Sequence, residues 1–69
     1  MNMKLAEAVG QRIVQMRRSK GLPQEKLALV AEIDRSYMSR IERGKINITL
    51  EKLYQIADAL GCDVKELLP

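Results

Sequence analysis

Asp34-Arg35-Ser36-Tyr37-Met38-Ser39-Arg40-Ile41-Glu42-Arg43-Gly44 is the stretch that decides how this chain is read. Aspartate accepts hydrogen bonds from the free N–H groups of a first helical turn, so Asp34 is an N-cap. Glycine after the last periodic residue stops a helix, so Gly44 ends it. The segment from about Asp34 to Arg43 is therefore predicted helical. At about 100° per residue, Arg35, Ser36, Ser39, Arg40 and Arg43 share one arc of about 140°. Tyr37, Met38, Ile41 and Glu42 occupy the other side. One face is basic and hydroxylic with no acid; the other is apolar with one acid at its edge. A solvated helix face ordinarily mixes lysine with glutamate, and this one does not. Arginine can donate two parallel hydrogen bonds to guanine O6 and N7, and serine is a short donor and acceptor. The pattern suits the major groove of duplex DNA.

Upstream, a second helix is expected from Pro23 or Gln24 to Ala31, with Leu27, Ala28 and Ala31 as its apolar face. Proline suits a first helical turn, where its missing N–H would have no intrahelical partner. Glu32 and Ile33 form the turn into the third helix. Two helices joined by a short turn have the spacing of a helix-turn-helix unit. Gln24 lies where free N–H groups and the positive helix end favour a phosphate, and its amide can donate to one.

The first helix is expected from about Leu5 to Ser19, with Leu5, Ala6, Val9, Ile13 and Met16 on one arc of about 100°. Gly10 in its middle should cost up to ~1 kcal/mol relative to alanine. Downstream, Lys45 to Ile48 reads as a loop and Thr49 as an N-cap. Leu50, Leu53, Ile56, Ala57 and Leu60 line the inner face of a fourth helix stopped by Gly61. Asp63-Val64-Lys65-Glu66 is a capping-box pattern that opens a short fifth helix containing Leu67 and Leu68. Strand-type alternation is absent. The 69 residues make one all-α domain, 1–69.

The net charge is only +3, but it is unevenly spread. Residues 1–45 hold ten basic and five acidic side chains; residues 46–69 hold two and four. A basic first part favours an anionic partner. With one cysteine, Cys62, and no histidine, neither an internal disulfide nor a metal-ligand set is expected. Cys62 reads as a packed free thiol. No signal peptide or membrane-spanning run is visible, so a cytoplasmic protein is expected. No nucleophile–base pair and no phosphate-cradling glycine loop point to an enzyme, a cofactor or a small-molecule ligand. Leu50, Tyr54, Val64 and Leu68 carry more apolar surface than so small a monomer covers. They predict a homodimer through the fifth helix and the adjoining end of the fourth.

Three blocks recur in order: Arg17-x-x-x-Gly21-Leu22-Pro23-Gln24-Glu25-x-Leu27-Ala28; Ser39-x-Ile41-Glu42-Arg43-Gly44; and Leu53-x-x-Ile56-Ala57-x-Ala59-Leu60-Gly61. They resemble the phage-repressor and Cro helix-turn-helix family, the Xre-type regulators. Within it, Asp34 to Ser39 with Ile41-Glu42-Arg43 is most similar to the controller proteins of restriction–modification systems. The resemblance implies a compact five-helix, lambda-repressor-like DNA-binding domain whose helices two and three form the helix-turn-helix. It also implies a homodimer on a double-stranded operator with two-fold symmetry. Carried over residue by residue, Arg35, Ser36 and Arg40 face base edges, and Ser39 serves base or backbone. Gln24, Tyr37, Arg43 and Asn47 hold sugar-phosphate, with Lys45 a further phosphate candidate. Arg17 and Glu42 pair as a semi-buried structural ion pair.

Two positions depart from the family pattern. Pro23 stands where a serine or threonine often caps helix two. Glu32 stands where the turn often has glycine, and a positive φ there would strain it. Two alternatives stay open. One is the antitoxin or autorepressor half of a toxin–antitoxin pair, which usually carries an added toxin-binding segment not seen before Pro69. The other is a helical protein-interaction module without DNA binding, which acids on the recognition face would signal.

Overall fold

A computed structural model describes residues 3–69. In chain order the elements are α1 (Met3–Ser19), α2 (Gln24–Ala31), α3 (Arg35–Glu42), α4 (Leu50–Leu60) and a 3₁₀ turn, Val64–Leu67. No strand occurs among the described residues. The expected fifth α-helix is this single 3₁₀ turn. Its capping box forms: Asp63 accepts from the Lys65 N–H at 3.0 Å, and the Asp63 N–H donates to Glu66 at 2.9 Å. The turn is only four residues long, and Leu67 is fully buried in the core. Runs this short favour the tighter i→i+3 pattern.

The core takes one large, fully buried side chain from every element: Ile13, Leu27, Met38, Ile56 and Leu67. Each such burial stabilises by about 1.5–3 kcal/mol. Isoleucine, leucine and methionine fill this centre without an aromatic ring. α1 packs on α3, α2 on α3 and α4, and the 3₁₀ turn closes against α1 and α4. Two expected inner-face residues lie outside this core. Leu5 is 53% exposed and Leu50 74% exposed. Each sits at the start of its helix, beyond the edge of the neighbouring elements, so periodicity alone misassigns it.

Local chemistry sets the helix ends. Asp34 accepts from the Tyr37 N–H and Thr49 from the Lys52 N–H, both at 3.2 Å. Pro23 is extended ahead of α2 and makes no side-chain cap. All four α-helices stop in one way: two backbone N–H groups beyond the end fold back onto carbonyls of the last turn. Gly21, Gly44 and Gly61 supply the left-handed residue at three of these ends. At the end of α2 it is Glu32, with φ 58 and ψ 42. No other non-glycine residue among those described has a positive φ. The Glu32 N–H reaches Leu29 O at 3.1 Å, the Ile33 N–H reaches Ala28 O at 2.9 Å, and Ile33 is buried. Those contacts hold the strained residue in place. Cys62 occupies the position after Gly61 that Ile33 occupies after Glu32, where an apolar contact commonly seals the helix end.

Gly10 has a packing reason that its helix position conceals. A Cβ there would lie 2.6 Å from Ile41 O and 2.7 Å from Glu42 O. Glycine therefore lets α1 touch the backbone at the end of α3. Gly10→Ala is expected to destabilise by about 1–3 kcal/mol, despite the better helix propensity of alanine. Glu32→Gly is expected to stabilise by about 0.5–1 kcal/mol, because it removes the left-handed strain at some entropic cost. Denaturant titration checks both: opposite signs are expected, and a neutral result at either position contradicts the corresponding argument.

Candidate nucleic-acid interface

Six residues converge on one face. Gln24 from the first turn of α2 joins Arg35, Ser36, Ser39, Arg40 and Arg43 around a concavity of about 410 Å³. The convergence follows from α3's two-sidedness. Met38, Ile41 and Glu42 are buried and hold one side of the helix on the domain. The arginines and Ser36 are exposed on the other, with Ser39 and Gln24 half-buried at the base. No carboxylate lines the concavity. Glu25 stands near its edge, 3.7 Å from Arg35, but both side chains are about two-thirds exposed. A contact so long and so solvated contributes between about 0 and 1 kcal/mol. The face therefore presents three guanidinium groups, two hydroxyls and a carboxamide, groups whose chemistry suits anions and hydrogen-bonding base edges.

The remaining residues picked out from the sequence lie apart from it. Tyr37 is half-buried against the core and lines a neighbouring hollow with Glu32, Ile33, Asp34, Arg40 and Lys52. Its ring lies under Arg40, whose Cζ is 5.7 Å from the ring centroid. This cation–π contact restrains Arg40 at the boundary between the two hollows. Lys45 is exposed just beyond the end of α3. Asn47 is exposed too, but it borders an apolar hollow with Leu5, Ile48, Leu50, Leu53 and Leu68. Arg43 caps α3, its Nε donating to Ser39 O at 3.4 Å, a long bond that leaves most of the guanidinium to solvent.

Arg17 and Glu42 meet behind the concavity. Arg17 Nε donates to Glu42 Oε2 at 2.8 Å and Nη2 to Oε1 at 3.1 Å. Their side chains are only 11% and 4% exposed. Arg17 Nη1 also donates to Leu22 O at 2.8 Å. The sequence reading missed a fourth member: Gln24 Nε2 donates to Glu42 Oε1 at 3.0 Å. Nothing in the linear pattern signals that bond, because it depends on how the start of α2 meets the end of α3.

The four residues assigned to a dimer contact also divide. Leu50, Tyr54 and Leu68 are exposed. Leu50 and Tyr54 are one turn apart on α4 and share a face. Val64 is instead half-buried and packed against the core. Leu5 takes its place on the apolar surface, which adjoins the beginning of α4 rather than its end. Cys62 is half-buried, and burial raises its thiol pKa, with Glu66 adding and Lys20 opposing. That direction disfavours the reactive thiolate.

The arrangement is that of a known class. A helix-turn-helix family model matches residues 13–67, and the chain belongs to that family. It is 45% identical over 60 residues to the control protein C.BamHI of Bacillus amyloliquefaciens, a match covering 86% of this chain and 74% of that protein. The immunity repressor protein of Bacillus phage phi105 is 42% identical over 60 residues, covering 87% of this chain and 42% of the repressor. The crystal structure of the restriction-modification controller protein C.AhdI from Aeromonas hydrophila superposes with a TM-score of 0.89 at 40% identity. That superposition covers 91% of this chain and 96% of the other.

Removing Glu42 strands a poorly solvated guanidinium. Glu42→Ala is expected to destabilise by on the order of 3 kcal/mol, whereas Glu51→Ala on the exposed side of α4 changes little. Equal thermal midpoints for the two variants would contradict the structural role of the pair.

Proposed function

We propose that this chain is a transcription regulator that binds double-stranded DNA sequence-specifically, with α2 and α3 as its helix-turn-helix and α3 in the major groove. The observation that carries the reading is the acid-free concavity of Gln24, Arg35, Ser36, Ser39, Arg40 and Arg43. Family membership and the similarity to controller proteins and a phage repressor support it. In this reading Arg35, Ser36 and Arg40 contact base edges, and Ser39 contacts base or backbone. Gln24, Arg43, Tyr37 and Lys45 grip the sugar-phosphate. Asn47 borders the apolar hollow and has the weakest support as a backbone contact. The similarity to controller proteins favours that role among regulators.

A helix in the major groove reads about half an operator, so two copies related by a two-fold axis read an inverted repeat. The apolar hollow bordered by exposed Leu5, Leu50 and Leu68, with exposed Tyr54 one turn beyond Leu50, supports a homodimer. Large exposed apolar side chains gathered on one side of a small domain are what an isologous contact uses. Sedimentation without DNA is expected to find a dimer at micromolar concentration, and Leu50→Glu is expected to give a monomer. A monomer well above micromolar in the parent protein overturns the dimer.

Selection of bound sequences from random duplex DNA tests the function. An inverted repeat and a steep fall in affinity with salt are expected. Arg35→Ala is expected to relax preference at one base pair per half-site and to cost ~1–3 kcal/mol. Arg43→Ala is expected to weaken all sequences about equally and to lower the salt slope by about one. If neither variant differs from the parent, α3's polar face is not the DNA face.

A further inference from the structure

The Glu42 carboxylate does more than close an ion pair. Its Oε1 accepts from both Arg17 Nη2 and Gln24 Nε2, at 3.1 and 3.0 Å, while Oε2 accepts from Arg17 Nε at 2.8 Å. Arg17 also holds the Leu22 carbonyl, two residues ahead of Gln24. The approach to α2 and the first side chain of α2 are thus tied to one carboxylate–guanidinium pair. Gln24 alone belongs both to this network and to the acid-free concavity.

A carboxamide carries one oxygen and a nitrogen with two N–H donors. Left to solvent, it samples both flipped orientations, and binding must then order it. A carboxylate can only accept, so Glu42 selects the NH₂ side of Gln24. One N–H is taken by Glu42 and the second is left for an outside acceptor. The ionised acceptor also strengthens the bond relative to a neutral one. Arg17 offsets the charge of Glu42, so the carboxylate can lie behind a phosphate-binding residue without strongly repelling the phosphate.

We propose that Glu42 is a positioning residue for DNA binding. It fixes the Gln24 carboxamide so that its free N–H meets a backbone phosphate oxygen. The proposal rests on the DNA-binding reading above and assigns Glu42 a task beyond stability. Its consequence is coupling: the contact between Gln24 and phosphate depends on a side chain that never touches DNA.

The test uses the duplex selected by the parent protein, with single phosphates replaced in turn by uncharged methylphosphonates. One replacement per half-site is expected to weaken the parent by about three- to tenfold in a manner that depends on Gln24. Gln24→Ala is expected to bind the unmodified duplex about three- to tenfold more weakly and to ignore that replacement. Replacing the ion pair by Arg17→Met with Glu42→Met keeps its volume without leaving a charge unpaired. This variant is also expected to ignore that replacement, and adding Gln24→Ala to it should cause no further loss. If the double variant does not fold, Glu42→Met, which offers the carboxamide no oxygen acceptor, is used in the same comparison, held well below its melting temperature. Full sensitivity in either variant, or losses that multiply with Gln24→Ala, overturns the positioning role while leaving DNA binding intact. A Gln24→Ala effect on base preference, with no change at any phosphate, also overturns it. If the parent binds no duplex, the functional reading and this inference fall together.

Discussion

Arg17 reaches from the last turn of α1 to the end of α3, and the rest of the domain is arranged around that reach. Its guanidinium donates to both Glu42 oxygens and to the Leu22 carbonyl, so it ties α1, the approach to α2 and the end of α3 at one point. Burying two charges is costly unless geometry and added hydrogen bonds offset the desolvation. Here a two-pronged contact and two further partners do so. The crossing beside it is close because Gly10 presents no Cβ to the Ile41 and Glu42 carbonyls. The ion pair and the missing side chain are complementary. One draws the helices together, and the other gives them room.

That constraint decides what α3 can show to solvent. An eight-residue helix has little intrinsic stability, so its packing must supply it. Met38 and Ile41 anchor α3 in the core, Glu42 anchors its end to Arg17, and Asp34 caps its start. The opposite face is then free to carry arginine and serine, which contribute nothing to the core. The turn before α3 is held with equal firmness. Glu32 sits in a left-handed conformation because two backbone hydrogen bonds and the buried Ile33 leave the chain no other route. The angle between α2 and α3 is thus set by strain that the packing sustains, and this angle brings Gln24 alongside the α3 face.

The apolar hollow bordered by Leu5, Leu50 and Leu68 follows from the same economy of size. A domain this small has five elements and one core, and the first residues of α1 and α4 project beyond it. Leu5 and Leu50 lie there, with Leu68 following the 3₁₀ turn. The acid-free concavity and this apolar hollow share no lining residue.

Much was legible in the sequence alone. Asp34, Thr49 and Asp63 mark helix starts, and Gly21, Gly44 and Gly61 mark ends, because capping acts within a few residues along the chain. The division of α3 into a basic face and an apolar face is equally local, since helical pitch by itself sorts Arg35, Ser36, Ser39, Arg40 and Arg43 from Met38 and Ile41. Tertiary structure decided what depends on a neighbour. It put Leu5 and Leu50 outside the core although their periodicity matches it, drew Val64 inward, and moved Asn47 to the apolar hollow. It gave Gly10 a reason to be glycine and Tyr37 a place under Arg40. Above all, it joined Gln24 to Glu42, residues eighteen apart whose hydrogen bond requires α2 to start where α3 ends. Periodicity specifies which side of a helix a residue occupies; only the packing of the helices specifies what that side meets.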